Sequence, residues 1–134
     1  MTERRTRVSR VLPLLFTIAV SGCTELCPLS VSSAIVIDVR DAITGLPLAA
    51  ASQAIVRRES DGIAVDTLRS YAPPEDTTAS ELASTRIGAG RYRVIITRAG
   101  YLPWERQNVE VRDVPGDCGG VRTVQLRAAL LPAT

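Results

Sequence analysis

Residues 35–48 read IVIDVRDAITGLPL, and this stretch decides the fold class. In its first half Ile35, Ile37 and Val39 alternate with other residues, which is the period-two pattern of a β-strand with one buried face. Its second half, 41–48, contains Thr-Gly-Leu-Pro, where glycine permits a tight turn and proline cannot continue a hydrogen-bonded ladder. The stretch therefore predicts a strand that ends in a turn.

The same alternation recurs along the chain. Clear runs lie at 91–98, 109–111 and 123–128, and weaker runs, blurred by alanine, serine and threonine, lie at 52–58, 63–69 and 81–87. Glycine and proline turns separate the runs by about ten residues, a spacing typical of antiparallel sandwiches and barrels. Pro103, directly before Trp104, suits the start of an edge strand. The chain is therefore predicted to be all-β, a seven-stranded antiparallel β-sandwich with one long polar loop at 70–80.

The N-terminus has the features of an export signal. Four arginines in the first ten residues precede an apolar run at 11–20. Ten helical residues span about 15 Å, half of a ~30 Å bilayer core, so the run suits a secretory signal rather than a transmembrane helix. It ends in Val20-Ser21-Gly22-Cys23, which resembles the lipobox of bacterial lipoproteins. We predict that residues 1–22 are a lipoprotein signal peptide and that Cys23 carries diacylglycerol and palmitate-type chains. The alternative is an ordinary signal peptide with a chance cysteine.

Charge and composition exclude several function classes. Four of the sixteen arginines and one of the fourteen acidic residues lie in the signal peptide, so the mature chain has a net charge of −1, against +2 for the whole sequence. A nucleic-acid partner is not expected, because the basic footprint is missing. The chain has no histidine, and therefore lacks the usual general base at neutral pH and the commonest metal ligand. We expect no enzyme, no cofactor and no metal.

The remaining carboxylate candidates fit structural roles. Asp38 is predicted on the solvent face of its strand, and Asp41 opens a turn, where an aspartate side chain bonds nearby backbone amides. Glu75-Asp76 could offer oxygens to Ca²⁺ but lacks the alternate-residue spacing of a dedicated loop. A solvated polar loop is therefore the preferred interpretation of that pair.

Cys27 and Cys118 remain once Cys23 carries lipid. In an oxidising envelope compartment an even pair of cysteines predicts a disulfide. Two separate thiols are the alternative.

Three stretches together resemble the carboxypeptidase regulatory-like domain, a transthyretin-like family of bacterial envelope proteins. They are the strand and turn at 35–48, the Gly-x-Tyr-x-Val strand at 90–94, and Ala99-Gly100-Tyr101 followed by Val109-Glu110-Val111. The resemblance covers about residues 33–128 and departs from the family at 71–80, which is longer and more acidic than the usual connection. It implies a transthyretin-like, Ig-like sandwich. Related hydrolases rely on histidines, which this chain lacks.

Strand direction predicts which connections meet. If seven strands run alternately up and down, Cys27 and the 112–120 connection with Cys118 share one end, the near pole. The other end, the far pole, gathers 41–50, 70–80, 99–103 and the tail 130–134. Tyr71, Tyr101 and Trp104 would lie there as candidate ligand-binding residues, because loop aromatics are typical of sugar- or peptide-binding surfaces. The preferred alternative is that Tyr101 and Trp104 cap the core.

These features predict four segments and a function. The segments are the signal peptide 1–22, a lipid-anchored tether 23–32, the carboxypeptidase regulatory-like sandwich 33–129 and a tail 130–134. The predicted function is a membrane-anchored, extracytoplasmic module that binds or scaffolds envelope components, either glycan or protein. An accessory subunit or assembly factor that uses a strand edge is the alternative, and a hydrolytic enzyme is the least favoured. Thr24 stands where an aspartate would signal inner-membrane retention, which favours the outer membrane if the cell has one.

Lipidation at Cys23 is directly measurable. Intact mass spectrometry of protein extracted from membranes should show a chain that begins at Cys23 and carries added acyl mass, because the lipobox directs both cleavage and acylation. A soluble product cleaved at another bond would contradict the prediction.

Overall fold

The computed structural model describes Cys27 and residues 32–84, 86–116 and 118–134. The predicted signal peptide, Cys23 and most of the 23–32 tether lie outside the described residues. The described chain forms seven strands and no helix, so the all-β prediction is confirmed. The strands are β1 (Ile35–Asp41), β2 (Gln53–Arg58), β3 (Ala64–Arg69), β4 (Glu81–Ala83), β5 (Gly90–Thr97), β6 (Trp104–Val111) and β7 (Val124–Leu130).

The strands form two sheets around one apolar core. One sheet has the order β4-β1-β7 and the other β3-β2-β5-β6. Alternate side chains of both sheets are fully buried in the same cluster, so the sheets pack face to face as a sandwich. The buried members include Ile35, Ile37, Val39, Val56, Val94, Ile96, Ala128 and Leu130. The predicted alternation therefore gives the core directly.

One predicted strand differs in detail. The weak run at 81–87 forms only three residues of strand, β4. Ser84 extends the pairing by one step, since its N–H donates to the Ile35 carbonyl (2.9 Å) and its hydroxyl accepts the Ile35 N–H (3.3 Å). Beyond it, Ile87 is buried in the core outside any strand.

The prediction of a wholly antiparallel sandwich is wrong for one pair. β1 and β7 pair in parallel along their whole lengths, with Ile35 opposite Val124 and Asp41 opposite Leu130. All other strand pairings are antiparallel. The parallel pair follows from strand direction, because the first and seventh strands of an up-and-down chain run the same way. Their apolar faces also coincide, since Ala128 opposes the buried Val39.

β6 occupies the edge that Pro103 predicts. Its pairing with β5 shifts register between Tyr92 and Val94, and Asn108 adopts a positive φ of 56° there. Asparagine tolerates this left-handed conformation better than most residues. The bulge interrupts the ladder and so blunts an exposed edge.

The predicted disulfide is present. Cys27 and Cys118 are bonded with their Cα atoms 5.2 Å apart, across 91 residues of chain. In the chain-entropy model, a loop of this length contributes about 4–5 kcal/mol by restricting the unfolded chain. The bridge joins the segment before β1 to the β6–β7 connection, at the near pole.

Candidate functional site

Asp41 organises the turn that begins the far pole. Its Oδ1 accepts the backbone N–H groups of Ile43 (2.7 Å) and Thr44 (2.8 Å), which confirms the predicted turn role. Its Oδ2 accepts the hydroxyl of Tyr101 at 2.8 Å, across 60 residues of sequence. One carboxylate therefore ties the end of β1 to the loop between β5 and β6.

The same hydrogen bonds shift both pKa values. The Thr44 backbone N–H, followed by the Tyr101 hydroxyl and the Ile43 N–H, lowers the pKa of Asp41. The bond to Asp41, with desolvation, raises the pKa of Tyr101. The pair therefore keeps its bonded protonation state over a wider pH range than free side chains would. Arg98 lies 5.7 Å from the centre of the Tyr101 ring and donates to the Leu48 carbonyl at 2.6 Å.

Backbone hydrogen bonds draw the far-pole segments together. Ala42 N–H donates to Leu130 (2.9 Å), and Leu102 N–H donates to Leu131 (2.8 Å). Tyr101 and Pro132 form an isolated antiparallel bridge. The predicted tail at 130–134 is thus bonded to two other connections, and Leu130 itself belongs to β7.

Exposed apolar side chains are concentrated in the far-pole segments. Five of the seven large apolar side chains that are exposed in the described residues belong to far-pole segments, with between 50% and 90% of their surface accessible. We call these five the far-pole apolar surface: Ile43, Leu46, Tyr71, Leu102 and Leu131. The other two, Ile63 and Val114, lie in near-pole connections. Exposed apolar side chains are common singly, but their concentration at one end makes this end the candidate interaction site.

A cavity opens beside this surface. It has a volume of about 360 Å³ and lies between the first two far-pole loops. Its lining residues are Leu46, Pro47, Leu48, Ala50, Pro74, Asp76, Thr77 and Arg98. Thr78 donates to Asp76 through its hydroxyl (2.6 Å) and its backbone N–H (2.8 Å), and these bonds lower the pKa of Asp76. The cavity is mainly apolar, because leucine, proline and alanine make up most of its lining, and it also has one carboxylate and one guanidinium. Many binding clefts share this composition.

The three predicted aromatics occupy different environments. Tyr71 is 90% exposed in its loop. Tyr101 and Trp104 are partly buried and pack against the core, as the capping interpretation has it. Sequence reasoning missed the aliphatic residues of this surface. The available signal is that aliphatic residues such as Ile43 and Leu46 stand inside predicted loops.

The carboxylate of Asp38, a predicted candidate, forms ion pairs. Asp38 lies 2.9 Å from the Nε of Arg40 and 3.7 Å from that of Arg127. Within the part of the chain that the structure describes, no three metal-binding side chains come together. No helix in that part is long and apolar enough to cross a membrane.

No protein-family model matches the sequence, and no curated protein matches it either.

The Asp41–Tyr101 bond predicts how stability varies with acid. Because the folded-state pKa of Asp41 is lowered, its stabilising effect is present above the unfolded pKa of about 3.9 and is lost as pH falls through the folded value. Asp41→Asn should therefore lower the melting temperature at pH 7 and flatten its decline between about pH 5 and pH 2. Thermal unfolding followed by circular dichroism measures both effects.

Glu75→Gln removes one negative charge from an exposed loop residue and serves as the control. This variant should show the same decline in melting temperature at acid pH as the unsubstituted protein. An equal decline in the Asp41→Asn variant and the unsubstituted protein would contradict the assignment.

Proposed function

We propose that the protein is a lipid-anchored lipoprotein of the cell envelope whose sandwich binds or scaffolds another envelope protein through the far-pole apolar surface. The anchor is Cys23, and the outer membrane is the favoured location where the cell has one. The proposal assigns the protein no catalysis and no cofactor.

The observation that carries the proposal is the clustering of exposed apolar side chains at one end of the sandwich. Leaving apolar area in water costs about 25 cal/mol per Å² relative to burying it. Ile43, Leu102 and Leu131 belong to segments joined by backbone hydrogen bonds, and Leu46 lines the adjoining cavity. A partner that covers this end would bury all four together.

The chemistry of the surface favours a protein over a glycan. Sugar binding relies on stacking against flat aromatic faces, and of the three candidate aromatics only Tyr71 is largely exposed. Tyr101 has its hydroxyl bonded to Asp41 and its ring beneath Arg98. Aliphatic side chains surrounded by polar groups fit the centre and rim of a protein interface.

The position of the proposed anchor supports an orientation in which the far-pole apolar surface is available to a partner. Four residue steps separate Cys23 from Cys27, which is at most about 14 Å of extended chain. Cys27 is bonded to Cys118 at the near pole. The eight residues of β5 span about 26 Å from the near pole toward the far pole. The far-pole loops would therefore face away from the bilayer and toward a partner.

Membership of the carboxypeptidase regulatory-like family is part of the proposal. Two sheets of three and four strands suit a transthyretin-like, Ig-like sandwich. The Thr-Gly-x-Pro turn follows β1, and the Gly-x-Tyr-x-Val motif opens β5, as the resemblance implies. The zinc carboxypeptidases that resemble this family carry their metal ligands in a separate catalytic domain, in keeping with a binding role.

Matched serine substitutions test the proposed surface. Leu46 is 62% exposed at the far pole, and Ile63 is 58% exposed at the near pole, so Leu46→Ser and Ile63→Ser remove similar apolar area at opposite ends. After cross-linking in intact envelopes, Leu46→Ser should reduce the yield of partner adducts at least about tenfold, which corresponds to a loss of about 1.4 kcal/mol of binding free energy. Ile63→Ser should leave that yield unchanged.

The melting temperatures of these variants should stay within a few degrees of the original, because exposed side chains contribute little to stability. Adducts at a fixed stoichiometry would show that the protein and its partner form a permanent complex. Equal adduct yields from the two variants would refute the far-pole interface.

A further inference from the structure

Two arginines oppose each other on the outer face of the four-stranded sheet. Arg57 of β2 and Arg93 of β5 are direct partners in the antiparallel register. Directly opposed side chains share a face with their Cβ atoms about 5 Å apart, and like charges in that arrangement destabilise a sheet. Stability alone therefore does not account for this pair.

The arginine pair borders a polar cavity of about 290 Å³ toward the near pole. Its lining residues are Arg57, Arg58, Glu59, Gly62, Arg93, Gln107 and Asn108. The bulge in β6 supplies one wall, because Asn108 leaves the regular ladder with its positive φ. The Asn108 N–H donates to the Oε1 of Glu59 at 2.6 Å, so the carboxylate in the lining is already engaged.

The nearby acidic groups leave most arginine donors unused. Glu105 Oε1 lies 3.2 Å from the Nε of Arg93. Asp61 Oδ2 accepts a bond from Nη1 of Arg58 at 2.8 Å. Nη1 of Arg57 donates to the Gly62 carbonyl at 3.0 Å, and within the described residues no carboxylate lies within 4.0 Å of its guanidinium.

Each guanidinium carries five N–H donors in a planar fork that matches the oxygens of a phosphate group. Even with Glu59, Glu105 and Asp61 included, the cavity offers several donors on Arg57 and Arg93 that face no acceptor in the described structure. An anion between the two arginines would remove their mutual repulsion and accept from both.

We propose that this cavity binds a phosphate group, held between Arg57 and Arg93. The phosphate belongs either to a lipid headgroup or to a soluble phosphoester. The near-pole position favours the headgroup, and that choice of source rests on the proposed anchoring, whereas the anion site itself rests only on the cavity.

Nitrogen-15 NMR of the full-length protein in neutral detergent micelles tests the site, because the arginine Nε resonances report each guanidinium separately. The probes are inorganic phosphate and dihexanoyl phosphatidylglycerol, titrated at constant ionic strength with chloride as the reference. Saturable shifts at Arg57 and Arg93 are expected. Similar affinity for both probes identifies a soluble phosphoester, and tighter binding of phosphatidylglycerol identifies a headgroup.

Arg57→Gln should weaken binding about tenfold to a hundredfold, the loss of a charge-assisted hydrogen bond. Its melting temperature should be unchanged or raised, because the like-charge pair is relieved. The matched control is Arg69→Gln, which removes an exposed arginine at the far-pole end of β3 and should keep full affinity. Absence of saturable shifts with both probes, or equal weakening by the two variants, would overturn the proposal.

The far-pole interface can be judged separately, since no residue of that surface takes part in phosphate binding. Loss of the preference for phosphatidylglycerol with retained phosphate binding would count against the lipid source alone.

Discussion

The Cys27–Cys118 disulfide is the constraint that distinguishes one end of the sandwich from the other. It fastens the segment that precedes β1 to the connection between β6 and β7. Because β1 and β7 lie side by side in parallel, both begin at this bridged end and both finish at the opposite one. The near pole is therefore the end connected to the N-terminal segment, and the loops that follow β1, β3 and β5 lie at the far pole.

The two poles differ in chemistry as well as in position. At the far pole, Asp41 holds its own turn and Tyr101, and that framework leaves Ile43, Leu102 and Leu131 exposed around it. At the near-pole end of the outer sheet face, arginines line a polar cavity. The proposed anchor would place the arginine-lined cavity toward a headgroup and the apolar loops toward a partner.

The amino-acid sequence predicts those features that depend on local pattern. Alternation at 35–39 gives the buried face of β1, and an even cysteine pair gives the disulfide. The Arg57–Arg93 opposition could not be predicted, because it depends on the register between β2 and β5, which are 37 residues apart at their first residues and share no local signal. The exposure of Leu102 and Leu131 likewise depends on which segments meet, so aliphatic loop residues alone do not distinguish surface from core.

The orientation of the sandwich on the bilayer shows whether the near pole lies at the membrane. A genetically encoded nitroxide amino acid can be placed at Val114 in the near-pole connection or at Glu75 in a far-pole loop, both of which are exposed. In reconstituted vesicles, electron paramagnetic resonance measures how strongly a relaxing agent dissolved in the lipid phase reaches each label. Clearly greater relaxation is expected at position 114. Equal relaxation at the two positions, or greater relaxation at position 75, would contradict this orientation.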